Sequence, residues 1–236
     1  MPFNFILLTT GLDSELIRKA ILDLEGVLPG GAWPNWVFGN HDEPRIATRL
    51  GHVESRTAAL LLLTLRGTPT VYYGDELGMP EARIPQELVK DPWGLRVPGF
   101  SRDGCRTPMQ WTPGTQAGFS TNPETWLPVQ AHHSINVETE LADPNSHLNL
   151  YRRLLSVRRA ESALQVGDMD LLEGLPSNCL GYRRTAPSAR PITVCLNLSP
   201  VAVRCSWNGE VLVSTHPAPH QPGRLRPWEG VILVDS

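Results

Sequence analysis

Two periodicities share the first two-thirds of the chain. Residues 3–8 (FNFILL) are a short apolar run that reads as a strand. Asp13 or Ser14 can then cap a helix, because a short side-chain oxygen accepts an otherwise unpaired backbone N–H. Leu16, Ile17, Ala20, Ile21 and Leu24 follow at helical spacing, and Leu28-Pro29-Gly30-Gly31 ends the helix. Residues 35–39 (NWVFG) predict a buried strand, 55–66 a nearly all-apolar helix stopped by Gly67, and 70–73 (TVYY) another buried strand. This order of strand, helix, strand, helix, strand is the pattern of parallel βαβ units. A stretch from about 75 to 145, dense in Pro, Gly, Trp and charge, has no regular period. So long a segment without periodicity is usually functional. Ser146 can cap a last helix over 147–160, whose basic end, Arg158-Arg159, suits the negative pole of the helix dipole.

After about residue 164 the period shortens. Six segments, at 168–173, 178–184, 192–198, 201–207, 211–215 and 231–235, recur between turns and predict a small antiparallel β-sandwich. The division expected is therefore 1–163, an α/β domain with the long loop 75–145, and 164–236, an all-β domain. A complete (β/α)8 barrel takes about 250 residues, and the part before the β segment holds three βα units.

Composition narrows the function classes. With 24 acidic and 21 basic residues in 236, the net charge of −3 argues against a basic nucleic-acid surface and against a polybasic membrane anchor. No apolar run reaches ~18 residues, so no membrane span is expected. Met1-Pro2-Phe3 carries no basic-then-apolar leader, and the expected location is cytoplasmic. The four cysteines, Cys105, Cys179, Cys195 and Cys205, lack metal-site spacing and read as reduced thiols, with a disulfide among the last three as the alternative.

The sharpest chemical cluster is Phe38-Gly39-Asn40-His41-Asp42-Glu43-Pro44-Arg45, directly after the strand at 35–39. In parallel α/β folds the C-terminal strand ends form the reactive face. A carboxylate beside an imidazole there can hydrogen-bond two adjacent sugar hydroxyls and stabilise an oxocarbenium-like transition state. The bland alternative is a loop whose Asp caps the next helix and whose His is packed. His132 and His133 have no partner pattern and read as solvated.

Three segments in order, 35–51 (NWVFGNHDEPRIATRLG), 67–78 (GTPTVYYGDELG) and 101–111 (SRDGCRTPMQW), resemble the α-amylase superfamily, glycoside hydrolase family 13, in its α-glucosidase, oligo-1,6-glucosidase and trehalose-synthase-like members. Phe3-Asn4-Phe5, Ala117-Gly118-Phe119-Ser120, Trp126-Leu127-Pro128-Val129 and Tyr151-Arg152-Arg153-Leu154-Leu155 extend the resemblance to about residue 165. It implies the last three βα units of a (β/α)8 TIM barrel followed by a small antiparallel β-sandwich. It implies that Asp42 is the acid that grips the sugar ring and stabilises the transition state, and that His41 is its neighbouring sugar ligand. By the same resemblance Arg45 orients Asp42, and Arg106 and Arg102 lie near the glucose pocket. Against these stand a surface or capping role for Arg45 and a loop-holding salt bridge for Arg102 and Arg106. Glu76 reads as structural, and Tyr72 and Tyr73 as core. Trp93, Trp111 and Trp126 could stack on sugars, though loop tryptophans more often staple the loop.

The resemblance also implies a deficit. Retaining hydrolysis needs a nucleophilic Asp and an acid/base Glu about 5–5.5 Å apart. The family carries them on the fourth and fifth strands, whereas this sequence opens at what looks like the sixth. The expectation is a fragment of a retaining α-glucosidase-type enzyme acting on α-linked gluco-oligosaccharides. It needs no cofactor and no metal, is silent alone, and has the other half of the barrel as its natural partner. The alternative is a non-catalytic relative serving as a scaffold chain or a sugar-binding module.

Overall fold

A computed structural model describes residues 3–130, 134–207 and 209–234. His132 and His133 lie outside them. In chain order the elements are α1 (Ile6–Thr10), α2 (Ser14–Val27), β1 (Asn35–Val37), α3 (Ile46–Leu50), α4 (His52–Thr64), β2 (Thr68–Thr70), α5 (Pro92–Arg96), α6 (Val137–Ala142), α7 (His147–Ala160) and α8 (Ser162–Val166). The strands β3 (Asp168–Leu171), β4 (Cys179–Thr185), β5 (Ile192–Asn197), β6 (Val203–Arg204), β7 (Glu210–Ser214), β8 (Arg224–Leu225) and β9 (Gly230–Val234) complete the chain. Two compact units result. One comprises Met1–Phe38, Arg56–Thr70 and Tyr151–Ser236; the other comprises Gly39–Ser55 and Val71–Leu150. This division runs differently from a cut at 163/164.

The first unit is assembled by apolar burial. β1 pairs in parallel with β2, and Asn4 adds a parallel bridge to Trp36 on the other side. The run 3–8 is thus not a strand beyond Asn4. The Asn4 side-chain oxygen accepts the N–H of Ile6 at 2.9 Å, and the chain turns at once into α1. The third predicted strand also sits earlier, at 68–70 rather than 70–73. As expected, Asp13 caps α2 by accepting from Leu16 N. In α4, residues 58–63 are all buried.

The last carbonyls of α4 lack partners within the helix. Arg158 on α7 donates to Leu63 O at 2.7 Å, and Arg184 on β4 donates to Thr64 O at 2.6 Å. Two cations therefore sit at the negative end of this helix dipole. Arg158 serves the end of α4 in addition to standing near the end of its own helix. Arg184 is itself buried and donates further to Gly167 O and Asp168 O, and burial pulls its pKa down to about 10. Tyr182 OH meets Thr64 Oγ1 at 2.5 Å.

β3-β4-β5-β9-β7 form one five-stranded antiparallel sheet, with a register shift between Val211 and Val213. The six expected strands are present, with β8 in addition. Among the described residues β6 and β8 form a separate two-stranded ribbon, and Cys195, Cys205, Leu225, Val231 and Leu233 make a buried apolar cluster. All four cysteines are buried free thiols. Among the described residues, no helix is long and apolar enough to cross a membrane.

Candidate functional site

The second unit holds every candidate site residue. β1 leads into Gly39, where a Cβ would sit 2.6 Å from the Asp75 carboxylate. Only glycine lets the chain leave the strand over that buried acid. The Asn40 side-chain oxygen then accepts the N–H groups of both Asp42 and Glu43 at 2.9 Å. This local turn projects His41 and Asp42 outward, with side chains 66% and 46% exposed.

Asp42 is held from one side. Its Oδ1 accepts from Arg102 Nη1 at 2.9 Å and from Arg106 Nη2 at 3.2 Å. Its Oδ2 faces His41 Nε2 at 3.4 Å. Arg106 also donates from Nε to the His41 carbonyl at 2.8 Å, which ties the loop to the His41-Asp42 backbone. A short turn at Asp103–Cys105 puts Arg102 and Arg106 four residues apart and on the same carboxylate. The two arginines satisfy one oxygen and leave lone pairs of the other for hydroxyl donors.

Arg102 is doubly engaged. Its Nε and Nη2 form a fork onto Asp91, at 2.8 Å each, and its backbone N–H reaches the same carboxylate. The loop-holding role and the Asp42 contact therefore coexist in Arg102. The fork holds the buried Asp91 carboxyl far below the usual carboxylate range. Asp103 locks this corner by accepting from the backbone N–H groups of Lys90 and Asp91.

Arg45 is not among the partners of Asp42. It is fully buried, donates Nη1 to Tyr73 O at 2.6 Å, and lies over the rings of Tyr72 and Tyr73 at 5.3 and 4.7 Å. Its Nε and Nη2, like Asp75 Oδ1, have no hydrogen-bond partner among the described residues. The extended backbone before α3 turns this side chain inward, so any influence on Asp42 runs through the loop. Burial pushes the Asp75 carboxyl up to about 7, although the Arg45 charge opposes the shift.

The tyrosines are not plain core. Tyr72 OH donates to Cys105 O and Tyr73 OH to Thr107 O, so the pair stitches 72–73 to the arginine loop, and Tyr73 is part-exposed. Glu76 accepts from Gly74 N. Trp93, Trp111 and Trp126 are 61%, 46% and 76% exposed, which does not suit side chains that staple a loop by burial. Among the described residues no group of three His, Cys, Asp or Glu is arranged to hold a metal ion.

Sequence reasoning missed Asp91, Asp103 and Asp75. Asp91-Pro92 is legible as a helix start, since a capping Asp followed by Pro is a helix-entry signal. Nothing in its spacing ties it to Arg102.

The family model of the alpha amylase catalytic domain matches residues 9–167. The chain belongs to the alpha-amylase family. Within it, this alpha-amylase-family chain is 34% identical to the salivary alpha-glucosidase of Anopheles gambiae, over 99% of its own length and 44% of that protein. It is 33% identical to the amino acid transporter heavy chain SLC3A1 of Mus musculus, over 72% of its length and 24% of that protein. The crystal structure of the alpha-glucosyl transfer enzyme XgtA superposes with a TM-score of 0.85 at 31% identity, over all of this chain and 46% of that one. The chain thus spans less than half the length of these relatives. The partial α/β architecture described above fits that coverage.

Proposed function

We propose that this chain is the sugar-gripping portion of a retaining α-glucosidase-type glycoside hydrolase acting on α-linked gluco-oligosaccharides, with Asp42 as the acid that stabilises the transition state. The observation that carries the reading is the presentation of Asp42. One oxygen is pinned by two guanidinium groups, and the other faces solvent beside His41. Vicinal hydroxyls of a glucose ring are the donors such a pair accepts, and positive charge building on the ring carbon is what such a carboxylate stabilises. His41, Arg106 and Arg102 are the accompanying substrate contacts, and Arg45 supports the floor beneath them.

The chain alone binds without cleaving. Retaining cleavage takes a nucleophile and a proton donor facing each other, and three acids of this unit are otherwise engaged. Asp91 is forked by Arg102, Asp75 is buried, and Glu76 caps Gly74. A polypeptide corresponding to the rest of the relatives' length supplies the missing pair. The test is calorimetry with maltose and an assay with p-nitrophenyl α-glucoside. The unaltered chain binds maltose, Asp42→Ala does not, and neither turns over. Turnover in the usual range of ~1–1000 s⁻¹ would overturn the silent-chain reading.

A scaffold role is the second reading, favoured by the match to a transporter heavy chain. It predicts no maltose affinity and no effect of Asp42→Ala.

A further inference from the structure

Arg102 has three side-chain nitrogens, and each is committed. Nε and Nη2 lie on Asp91, and Nη1 lies on Asp42 Oδ1. A guanidinium is planar and rigid, so fixing two of its nitrogens fixes the direction of the third. The two ends of this bridge are unlike. The Asp42 side chain is 46% exposed, while the Asp91 side chain is fully buried.

Asp91 is in turn held on both sides. Its own N–H donates to Asp103 Oδ2 at 2.9 Å, and its Oδ1 caps α5 by accepting from Trp93 N. The segment it anchors is packed closely, because a Cβ on Gly94 would meet Ser101 Cβ at 2.5 Å. Arg106, by contrast, is anchored on the neighbouring His41 carbonyl, within the site itself.

We propose that Asp91 is a positioning residue for Asp42: by gripping the Arg102 fork it aims the remaining N–H at Asp42 Oδ1 and so decides which lone pairs of Asp42 are left for the sugar. The functional meaning rests on the sugar-gripping role of Asp42. The positioning itself does not. It also makes the loop 91–102, which displays Trp93 and Phe100 to solvent, the route by which changes there reach the sugar acid.

Asp91 and Asp42 do not touch, so a double-mutant cycle isolates the bridge. Asp91→Asn keeps an acceptor for the cap on α5 and removes the charge that holds the fork. Asp91→Asn, Asp42→Asn and the double variant are unfolded with urea, in the natural sequence and again with Arg102→Gln. The expected result is non-additivity of about threefold or more in the unfolding equilibrium constant, vanishing in the Arg102→Gln background. In ¹⁵N spectra the Arg102 Nε–H signal moves in Asp91→Asn and stays in Asp42→Asn. Additive effects, or coupling that survives Arg102→Gln, overturn the proposal. If Asp91→Asn does not fold, Asp91→Glu, which keeps the charge but shifts it by one methylene, is read in the same cycle. Maltose titration of the same variants separates the two claims. Failure of the unaltered chain to bind counts against the sugar-gripping role, and the cycle still decides the role of Asp91.

Discussion

The two compact units reach order by different means. Around α4 and the five-stranded sheet, apolar side chains meet one another, and polar groups appear chiefly where a helix end or a sheet edge needs a partner. The unit bearing Asp42 has few regular elements. It is stitched by side chains reaching backbone: Asp103 to residues 90 and 91, Tyr72 and Tyr73 to residues 105 and 107, Asn40 to residues 42 and 43. The difference teaches where each is vulnerable. Burial of hydrocarbon is indifferent to pH, whereas a fold held by buried charges and directed hydrogen bonds answers to protonation and to the loss of single atoms.

The largest effect tests the apolar side. Leu196→Ala removes a fully buried side chain from the C-terminal part of β5, and urea unfolding should show a loss of about 2–5 kcal/mol, equal at pH 5 and pH 7.5. A pH-dependent loss would break the contrast.

Next comes Asp75, in the polar unit. Its folded-state pKa, pushed up to about 7, exceeds that of the unfolded chain, so the folded form binds the proton more tightly. Its contribution is most favourable below the ordinary carboxylate range and is lost as pH rises toward 7. Burial also raises Glu76 and Glu81, and Arg45 and Arg49 oppose the rise at Asp75. Asp75→Asn should therefore be the more stable protein at pH 8, on the order of 2–3 kcal/mol, with the advantage fading toward pH 4. An Asn variant less stable at pH 8 would refute this.

The apolar unit has its own acid response, with the opposite sign. Burial pushes Glu229 up, but the hydrogen bonds from Arg226 and Ser214 outweigh that and bring it down to about 2. Stability from Glu229 is present above the ordinary glutamate range and is lost as pH falls through about 2. Glu229→Gln should cost about 1–3 kcal/mol at pH 7 and much less at pH 2, read from urea midpoints. Asp91 adds a loss of the same sign to the polar unit. The two units therefore differ in their response between pH 4 and 7, and share one below it. The smallest effect is a control: Lys19→Ala breaks an exposed i,i+4 pair with Asp23 and should change the unfolding free energy from urea titration by no more than about 0.5 kcal/mol.

Legibility follows the same contrast. α2 can be read because its cap and its apolar face lie within one short window, and the tail strands because a period of two survives in a few residues. FNFILL misleads because a short apolar run looks alike in helix and strand, and the chain turns where the Asn4 side chain accepts the Ile6 N–H. TVYY places the strand too late. The two tyrosines end in hydroxyls that seek carbonyls in the loop, and the pairing with β1 stops at Thr70. Asp42 and His41 can be singled out from their neighbours in sequence. The Asp91–Arg102 fork cannot, because contacts across eleven residues of aperiodic loop leave no pattern.

The C-terminus of α4 has a consequence for how the chain is made. Its last carbonyls find their donors on Arg158 and Arg184, some 95 and 120 residues further along. As the chain emerges in order, that helix end must wait, frayed or hydrated, until α7 and β4 have been synthesised. Closing contacts of such separation is slow. The apolar unit should therefore set as a late event, with α7 and β4 acting as the clasp for a helix laid down long before them.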